Sequence, residues 1–175
     1  MNYLLKKKIN KILAFDISTA STGWALKDYK NSEVNTGRIE KPSELDGLEA
    51  IVFEACEIKK IIDGAKPDLI IMEDTYLRFN YRTVKLMDML RGWVFIYSIM
   101  KKIDVAPSYN TLHVRKILGI NKLIKKNMTR KQKKQKVINF LNSLGYKVKQ
   151  DDEADALAMI LAFEKESWYK SKSIS

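Results

Sequence analysis

Cysteine and histidine are nearly absent from this sequence of 175 residues, which contains one of each, Cys56 and His113. A single cysteine excludes an internal disulfide and suits a reducing cytosol. Zinc centres use several cysteine or histidine ligands, so this composition also argues against one. Because Cys56 lies in a stretch with apolar residues at helical spacing, we expect it to be a small buried side chain rather than a nucleophile. We expect His113 to be a surface or half-buried residue.

Long apolar runs are also missing, since no segment approaches the ~18 to 20 residues that a membrane-spanning helix needs. The opening MNYLLKKKINKILAF has lysines inside its apolar stretch and no small-residue cleavage site, so it predicts a basic arm over residues 1–10 rather than a signal peptide. Repeats and low-complexity linkers are not evident. We therefore expect one cytoplasmic domain over residues 1–175, with a flexible tail over residues 169–175.

Acidic residues are scarce relative to basic ones, with 21 Asp and Glu against 32 Lys and Arg and a formal net charge of +11. The surplus is concentrated in KLIKKNMTRKQKKQK, residues 122–136, which holds no acid. Such a run can be an ordinary solvated face, and acidic membrane is a weaker option because a large aromatic face is lacking. We favour nucleic acid as the partner. The candidate DNA-binding residues in this run are Lys125, Lys126, Arg130, Lys131 and Lys133.

The pattern of apolar residues predicts alternating strands and helices. Strands are expected within residues 11–18, 21–28, 31–40, 66–74 and 102–107. Helices are expected within residues 42–64, 82–101, 110–118 and 128–143, and from about Asp152 to Trp168. The first helix is expected to bury a face made of Leu48, Ile51, Val52, Ala55, Cys56 and Ile62, and to end at Gly64.

This order of elements predicts an α/β fold with a five-stranded mixed sheet, in strand order 3-2-1-4-5, flanked by helices. A right-handed crossover through the first helix would place the fourth strand beside the first and parallel to it. The winding direction reverses between these two strands, and ligands bind at the carboxyl ends of strands at such a point. Asp16 and Glu73 both lie at that end.

The stretch DDEADALAMILAF, residues 151–163, places acids at the head of an apolar helix. Acids in a first helical turn complement the helix dipole, which accounts for the first three of them. Asp155 lies deeper and shares a face with Ala158 and Ala162, small residues that permit close packing on a sheet. Asp152, three residues earlier, lies on the same side.

If this helix docks over the strand ends, four carboxylates converge, namely Asp16, Glu73, Asp152 and Asp155. No lysine or arginine is expected among them, so their mutual repulsion would be costly without cations. Oxygen-only ligands favour Mg²⁺ or Mn²⁺. Two such ions form the kind of site that hydrolyses phosphodiesters. We therefore predict a two-metal hydrolytic site beside a basic surface that holds DNA.

The segment TYLRFNYR, residues 75–82, interleaves aromatic and basic residues directly after Glu73. Unpaired bases can stack on such aromatics, and ordinary packing of the aromatic rings is the alternative. The candidate DNA-binding residues here are Tyr76, Arg78, Phe79 and Arg82.

Four segments of the sequence resemble the motifs of one family, and they occur in the family's order. ILAFDISTASTGWAL is similar to the first strand and turn of the Holliday junction resolvase RuvC, within the ribonuclease H-like superfamily. LIIMEDTYL resembles the family's second motif. TLHVRKILGI together with TRKQKKQKVINFL resembles the family's basic segment. DDEADALAMILAF resembles its closing D-x-x-D-A-L-A motif. The resemblance extends from about Lys11 to Phe163.

The resemblance implies a homodimeric, Mg²⁺-dependent endonuclease, with Mn²⁺ as a substitute ion, that acts in DNA recombination and repair by nicking two opposed strands of a four-way DNA junction. It places the catalytic and metal-binding acids on Asp16, Glu73, Asp152 and Asp155, and the stacking aromatic on Tyr76. It places two basic catalytic residues on Arg115 and Lys134, with Lys133 as an alternative to Lys134.

The sequence departs from the family pattern in two places. Ile17 and Ser18 replace the usual Pro-Gly after the first aspartate, so the loop there is expected to differ in shape. The segment before Lys134 lacks the family's glycines and is richer in lysine, which resembles phage-type versions acting in a host cytoplasm. Sequence preference, other branched substrates and a helicase partner stay open.

Three alternatives compete with parts of this interpretation. The stretch MDMLRGWVFIYSIM is apolar nearly all round, which suits a two-fold dimer, and a buried helix in a monomer is the alternative. DISTASTGWAL also resembles the phosphate-binding hairpin of sugar kinases and actin, although those need two such domains. A DNA-binding module without catalysis is the third.

Overall fold

The computed structural model describes residues 9–18, 21–74 and 80–172, and for residues 167–172 the backbone alone. The strands are β1 (Lys11–Asp16), β2 (Ser21–Asp28), β3 (Glu33–Glu40), β4 (Leu69–Met72) and β5 (Asp104–Val105). The helices are α1 (Gly47–Ala65), α2 (Tyr81–Met100), α3 (Thr111–Leu118), α4 (Arg130–Ser143) and α5 (Asp151–Lys172), with a short 3₁₀ turn at Ile120–Leu123.

The predicted fold class is confirmed, because the five strands form one mixed sheet in the order β3-β2-β1-β4-β5. The first three strands are an antiparallel meander, and β4 lies parallel to β1 with Phe15 opposite Met72. The short strand β5 adds to the outer edge of β4, also in parallel. The reversal of winding between β1 and β4 therefore lies where the sequence predicts it.

The central strand β1 is buried on both faces, and its alternate side chains enter two separate clusters of apolar residues. Ile12 and Ala14 face the cluster formed with α3, α4 and α5. Leu13 and Phe15 face the cluster formed with α1 and α2. The sheet thus has helices on both faces, and α5, with residues 156–160 almost completely buried, is the most enclosed of them.

Helix α1 buries only part of the predicted face, with Ile51 and Ile62 inside as expected. Its buried side chains include Glu54, Ile58 and Ile62, which recur every four residues. Cys56 lies on the opposite side and is exposed, so the expectation of a buried cysteine was wrong. Leu48 and Val52 were also expected inside, but they are 61% and 63% exposed.

Two expected helix boundaries also differ from the structure. Helix α1 continues past Gly64, and Lys66 closes it in the left-handed conformation (φ 49°) by donating its N–H to the carbonyl of Ile62. Helix α5 begins one residue before Asp152 and continues to Lys172, beyond the expected end near Trp168. Within the described ranges, each helix is too short or too polar to act as a transmembrane segment.

Glu54 is a carboxylic acid in the apolar layer between α1 and the sheet, where its side chain is fully buried. Its Oε2 accepts a hydrogen bond of 2.7 Å from the hydroxyl of Thr22. Its Oε1 has no hydrogen-bond partner within the described part of the chain. Burial raises the pKa of Glu54 to about 7, against the bond from Thr22 and the charge of Lys41, which both lower it.

The raised pKa of Glu54 predicts a loss of stability with rising pH. The folded chain holds this proton more tightly than the unfolded chain, so the stabilisation is complete below the ordinary pKa of 4.5 and is lost as the pH rises to about 7. We expect the loss to be roughly 3 kcal/mol. Glu54→Gln keeps the bond from Thr22 and has no charge, so its stability relative to wild type should rise by that amount over this pH range.

Urea unfolding at half-unit pH steps in a chelating buffer measures this difference. Glu44→Gln is the matched control, because Glu44 is an exposed residue before α1 and the same chemical change there should leave the pH profile of wild type unchanged. Parallel profiles for wild type and Glu54→Gln would contradict the assignment.

Candidate active site

Asp16 and Glu73 lie side by side at the carboxyl ends of two neighbouring parallel strands. Asp16 is the last residue of β1, and Glu73 follows β4 and donates its N–H to the carbonyl of Phe15 at 3.2 Å. Glu73 also forms a parallel bridge to Tyr109, before α3. Its carboxylate accepts a hydrogen bond from the hydroxyl of Thr111. The ends of these two strands therefore supply the first two carboxylates.

The start of α5 brings the other two carboxylates to the same place by packing directly on β2. A Cβ atom built on Gly23 would lie 2.2 Å from the carbonyl oxygen of Asp152, so only glycine permits this contact. The hydroxyl of Ser21 donates a hydrogen bond of 2.5 Å to the Asp152 carboxylate. Because Gly23 pairs with Asp16, the start of α5 lies beside the end of β1.

Three of the four carboxyl groups are held in surroundings that disfavour ionisation. Burial raises the pKa of Asp16 well above its usual range, and the hydrogen bond and charge of Glu73 raise it further. Burial likewise raises the pKa of Glu73, although its hydrogen bond with Asp16 lowers it. The two carboxyl groups lie within hydrogen-bonding contact, and both of their pKa values are raised. Burial and the charge of Asp16 raise the pKa of Asp155 to about 6.

Basic side chains lie among these acids, and the expectation of uncompensated carboxylates was wrong. Arg115 of α3 lies 3.5 Å from Asp155. Lys134 of α4 pairs with Asp151 and lies 4.0 Å from Asp152. The pattern of acids pointed only to the strand ends and to α5. It did not indicate these two cations, because they lie on helices α3 and α4. The resemblance to known motifs did place both residues here.

The acids suit a hard divalent cation by their chemistry, since all the donors are carboxylate oxygens and several cannot ionise cheaply without added positive charge. Their side chains, however, contact protein groups. Asp152 accepts from Ser21, Asp155 faces Arg115, and Glu73 accepts from Thr111. Within the ranges given above, no three acidic, histidine or cysteine side chains are arranged as ligands of one ion. Each carboxylate has further lone pairs, so the hydroxyl bonds can persist when a metal binds, whereas Arg115 would have to move away from Asp155.

The remaining predicted residues fall into three groups. Of the two lysines left open, Lys134 contacts the acids. The exposed basic residues at the start of α4 and in the turn before it are Lys125, Lys126, Arg130 and Lys131, with Lys133 half-buried. Arg82 is exposed on α2, with its guanidinium beside Gly47 of α1. Tyr76, Arg78 and Phe79 lie outside the described residues.

The structure adds site residues that the sequence interpretation did not include. Ser21 and Thr111 hold the carboxylates of Asp152 and Glu73. Arg38 of β3 lies 4.0 Å from Asp152. The register of the predicted hairpin could have indicated Arg38, because pairing the second and third strands places it opposite Gly23. No sequence signal distinguishes Thr111 from other hydroxyl residues at a helix start.

Two kinds of sequence comparison indicate the same relatives. The family model described as crossover junction endodeoxyribonuclease RuvC matches residues 12–163. The chain is 27% identical over 156 residues to a protein of that name from Caldicellulosiruptor saccharolyticus, covering 86% of this chain and 90% of the relative. It is 24% identical over 152 residues to that from Halothermothrix orenii, covering 85% and 88%.

Solved structures share the fold. Thermus thermophilus RuvC in complex with a Holliday junction substrate superposes with a TM-score of 0.68 and 12% identity, covering 91% of this chain and 96% of that one. The fowlpox virus resolvase in complex with Holliday junction DNA gives a TM-score of 0.52 and 13% identity, covering 92% and 99%. At these identities the similarity concerns the arrangement of the chain alone.

The contact between Gly23 and α5 predicts that Gly23→Ala damages the site. The added methyl group must displace the backbone at Asp152, so we expect a loss of about 2 to 3 kcal/mol in the free energy of unfolding. We also expect the hydrogen bond from Ser21 to Asp152 to weaken. Denaturant unfolding measures the first effect.

Gly64→Ala is the matched control. A Cβ on Gly64 meets nothing within 4 Å, so the same substitution should be neutral or stabilise the protein by up to ~1 kcal/mol through helix propensity. Equal stabilities for the two variants would show that α5 tolerates displacement from β2.

Proposed function

Because this chain belongs to the RuvC family of crossover junction endodeoxyribonucleases, we propose that it cuts four-way DNA junctions by metal-dependent hydrolysis of phosphodiester bonds. The observation that carries the proposal is the convergence of four carboxylates from β1, β4 and α5, with basic groups from α3 and α4 beside them. Such a combination can bind both the ions and the phosphates that this chemistry needs.

We propose that Asp16, Glu73, Asp152 and Asp155 hold two Mg²⁺ ions. Bound there, the ions would activate water and stabilise the leaving oxygen. The donor set supports this assignment, because hard oxygen ligands suit Mg²⁺ and added positive charge would favour ionisation of acids whose pKa values are raised. Ser21 and Thr111 orient two of the carboxylates by hydrogen bonds.

Arg115 and Lys134 have a second role in this proposal. Each contacts a carboxylate through a cationic group that is also suited to phosphate oxygens. With positive ions bound between the acids, these side chains can turn their charge to the substrate and offset negative charge that develops on the phosphate. The exposed basic residues at the start of α4 would hold the flanking DNA, and binding should weaken steeply with salt.

We also propose a homodimer. Helix α2 exposes large apolar side chains over its second half, including Ile96 at 60%, Ile99 at 58% and Met100 at 73%. Leu48 and Val52 of the neighbouring helix α1 are exposed as well. A second copy of this chain would cover this surface, and two copies would supply the paired active sites that paired nicks require.

The stacking role of Tyr76 and Phe79 and the DNA-binding role of Arg78 rest on the sequence pattern. The kinase-like alternative is not favoured, because the family model that matches residues 12–163 is that of the crossover junction endodeoxyribonuclease RuvC. The alternative, a basic DNA-binding module without catalysis, predicts that the chain binds DNA and does not cleave it.

Cleavage of three synthetic DNA substrates tests the function. With Mg²⁺ we expect the chain to cut a four-way junction in preference to a flap or a linear duplex, and to leave all three intact in a chelating buffer. Glu73→Gln should lower the cleavage rate at least ~100-fold, because it removes a charged metal ligand. Glu44→Gln, the same change at an exposed residue before α1, should cleave like wild type.

A supercoiled plasmid with an extruded inverted repeat tests the pairing of the nicks. A dimer that nicks both strands within one complex converts the plasmid to the linear form, whereas independent single nicks give relaxed circles. Tight binding of the junction without any cleavage would support the module without catalysis.

Thermal unfolding tests the metal site independently of DNA. Millimolar Mg²⁺ should raise the Tm of wild type, because an ion that binds only the folded chain stabilises it by mass action. Asp155→Asn should fold, since asparagine has the same shape and removes a repelling charge, but its Tm should not respond to Mg²⁺. Asp46→Asn, at the exposed start of α1, is the control. An equal response of Asp155→Asn and wild type would contradict the assignment.

A further inference from the structure

One more basic residue lies in line with the acids, on the sheet itself. Arg38 of β3 pairs with Gly23 of β2, and Gly23 pairs with Asp16 of β1. Paired residues of neighbouring strands project from the same face, so Arg38 and Asp16 lie in one row on the face covered by α5. Two strand spacings, about 10 Å, separate their backbones.

Glycine at the middle of this row leaves the space between Arg38 and the acids free of a side chain. The start of α5 lies over that space, and its Asp152 is approached by two cations from different sides. Lys134 lies 4.0 Å from Oδ1 of Asp152, and Arg38 lies 4.0 Å from Oδ2. Arg38 also pairs with Glu40, two residues along the same strand.

We infer that Arg38 binds a backbone phosphate of the DNA strand being cut, at the side of the active site that faces the sheet edge. The inference rests on the proposed function and adds a third basic group to Arg115 and Lys134. Arg115 and Lys134 come from α3 and α4, on the other side of the acids. Among the described residues, Arg38 is therefore the cation that contacts the acids from the side of the edge strand β3.

The contacts of Arg38 suit a group that exchanges partners. Arg38 is an exposed residue of the edge strand β3, and its two carboxylate partners, Glu40 and Asp152, are partly accessible to solvent. Cations bound at Asp152 would take over the negative charge that Arg38 now faces. Its planar guanidinium matches a phosphate through two parallel hydrogen bonds, which an ammonium group cannot reproduce.

The alternative is that Arg38 only balances the charge of Asp152. The two roles differ in their dependence on salt, because each phosphate contact adds about 0.9 to the slope of log affinity against log salt concentration. We would measure that slope for a four-way junction in Mg²⁺ buffer, with every variant in the Glu73→Gln background so that the DNA stays intact. The variants are Arg38→Gln, Arg38→Lys and Lys30→Gln.

Lys30 is the matched control, because it lies at the exposed turn of the same hairpin, remote from the acids. We expect Arg38→Gln to lower the slope by about one and to weaken binding about 5- to 10-fold near 0.1 M salt. Arg38→Lys should keep the slope while losing part of the affinity. Lys30→Gln should change neither, and the Tm of all variants should match that of the background.

An unchanged slope in Arg38→Gln, or an equal loss in Lys30→Gln, would overturn the inference. A second measurement uses Arg38→Gln in a chain that retains Glu73. If the slope is unchanged and this variant is protected thermally by a lower Mg²⁺ concentration than wild type needs, Arg38 is only a counter-charge to Asp152. If the background binds linear duplex as tightly as the junction, the proposed function fails, and the slopes on duplex still decide the role of Arg38.

Discussion

Mutual repulsion of carboxylates in a small volume is the constraint on which this structure depends. Asp16 and Glu73 lie side by side at two strand ends with raised pKa values, and Asp155 approaches them from α5 with a pKa raised to about 6. A chain selected for stability alone would not bring these groups together. Arg115, Lys134 and Arg38 lie against the acids and reduce the repulsion without removing it. The residual deficit of positive charge is the physical basis for the cation site proposed here.

The packing of α5 on the sheet imposes this proximity. Small residues in both elements allow it, with Gly23 in β2 and Ala154, Ala158 and Ala162 buried in α5. The apolar cluster around α5 includes side chains from α3 and α4, so the burial that fixes α5 also fixes the helices that supply Arg115 and Lys134. The same apolar contacts therefore position both the acids and the cations, and chemistry at the site is coupled to the stability of this layer.

The sequence predicted the sheet order, because short continuous apolar runs ending in Asp16 and Glu73 are typical of buried strands. The structure brings these two acids together with Asp152 and Asp155, and their role as metal ligands stays a prediction. Helix α1 shows where such reasoning fails. Its apolar residues surround much of the helix, so the pattern could not distinguish a face containing Leu48 and Cys56 from the one containing Ile58 and Glu54, and burying a carboxylic acid is the less expected choice. Contacts between distant elements, such as Thr111 with Glu73, depend on loop geometry that local patterns do not encode. The division into a single domain stays a prediction.

The order of the elements along the chain has a consequence for biosynthesis. Ser21 and its partner Asp152 are 131 residues apart, and α5 is made after the other described elements. At ribosomal rates of 5 to 20 residues per second, roughly 7 to 26 s pass between the synthesis of these two positions. Until α5 is made, the nascent polypeptide exposes the apolar sheet face that α5 will cover, and the basic segment over residues 122–136 is completed only shortly before Asp152 and Asp155. Docking of α5 therefore closes the core and completes the group of four acids in one step, so the site does not exist before the fold is closed.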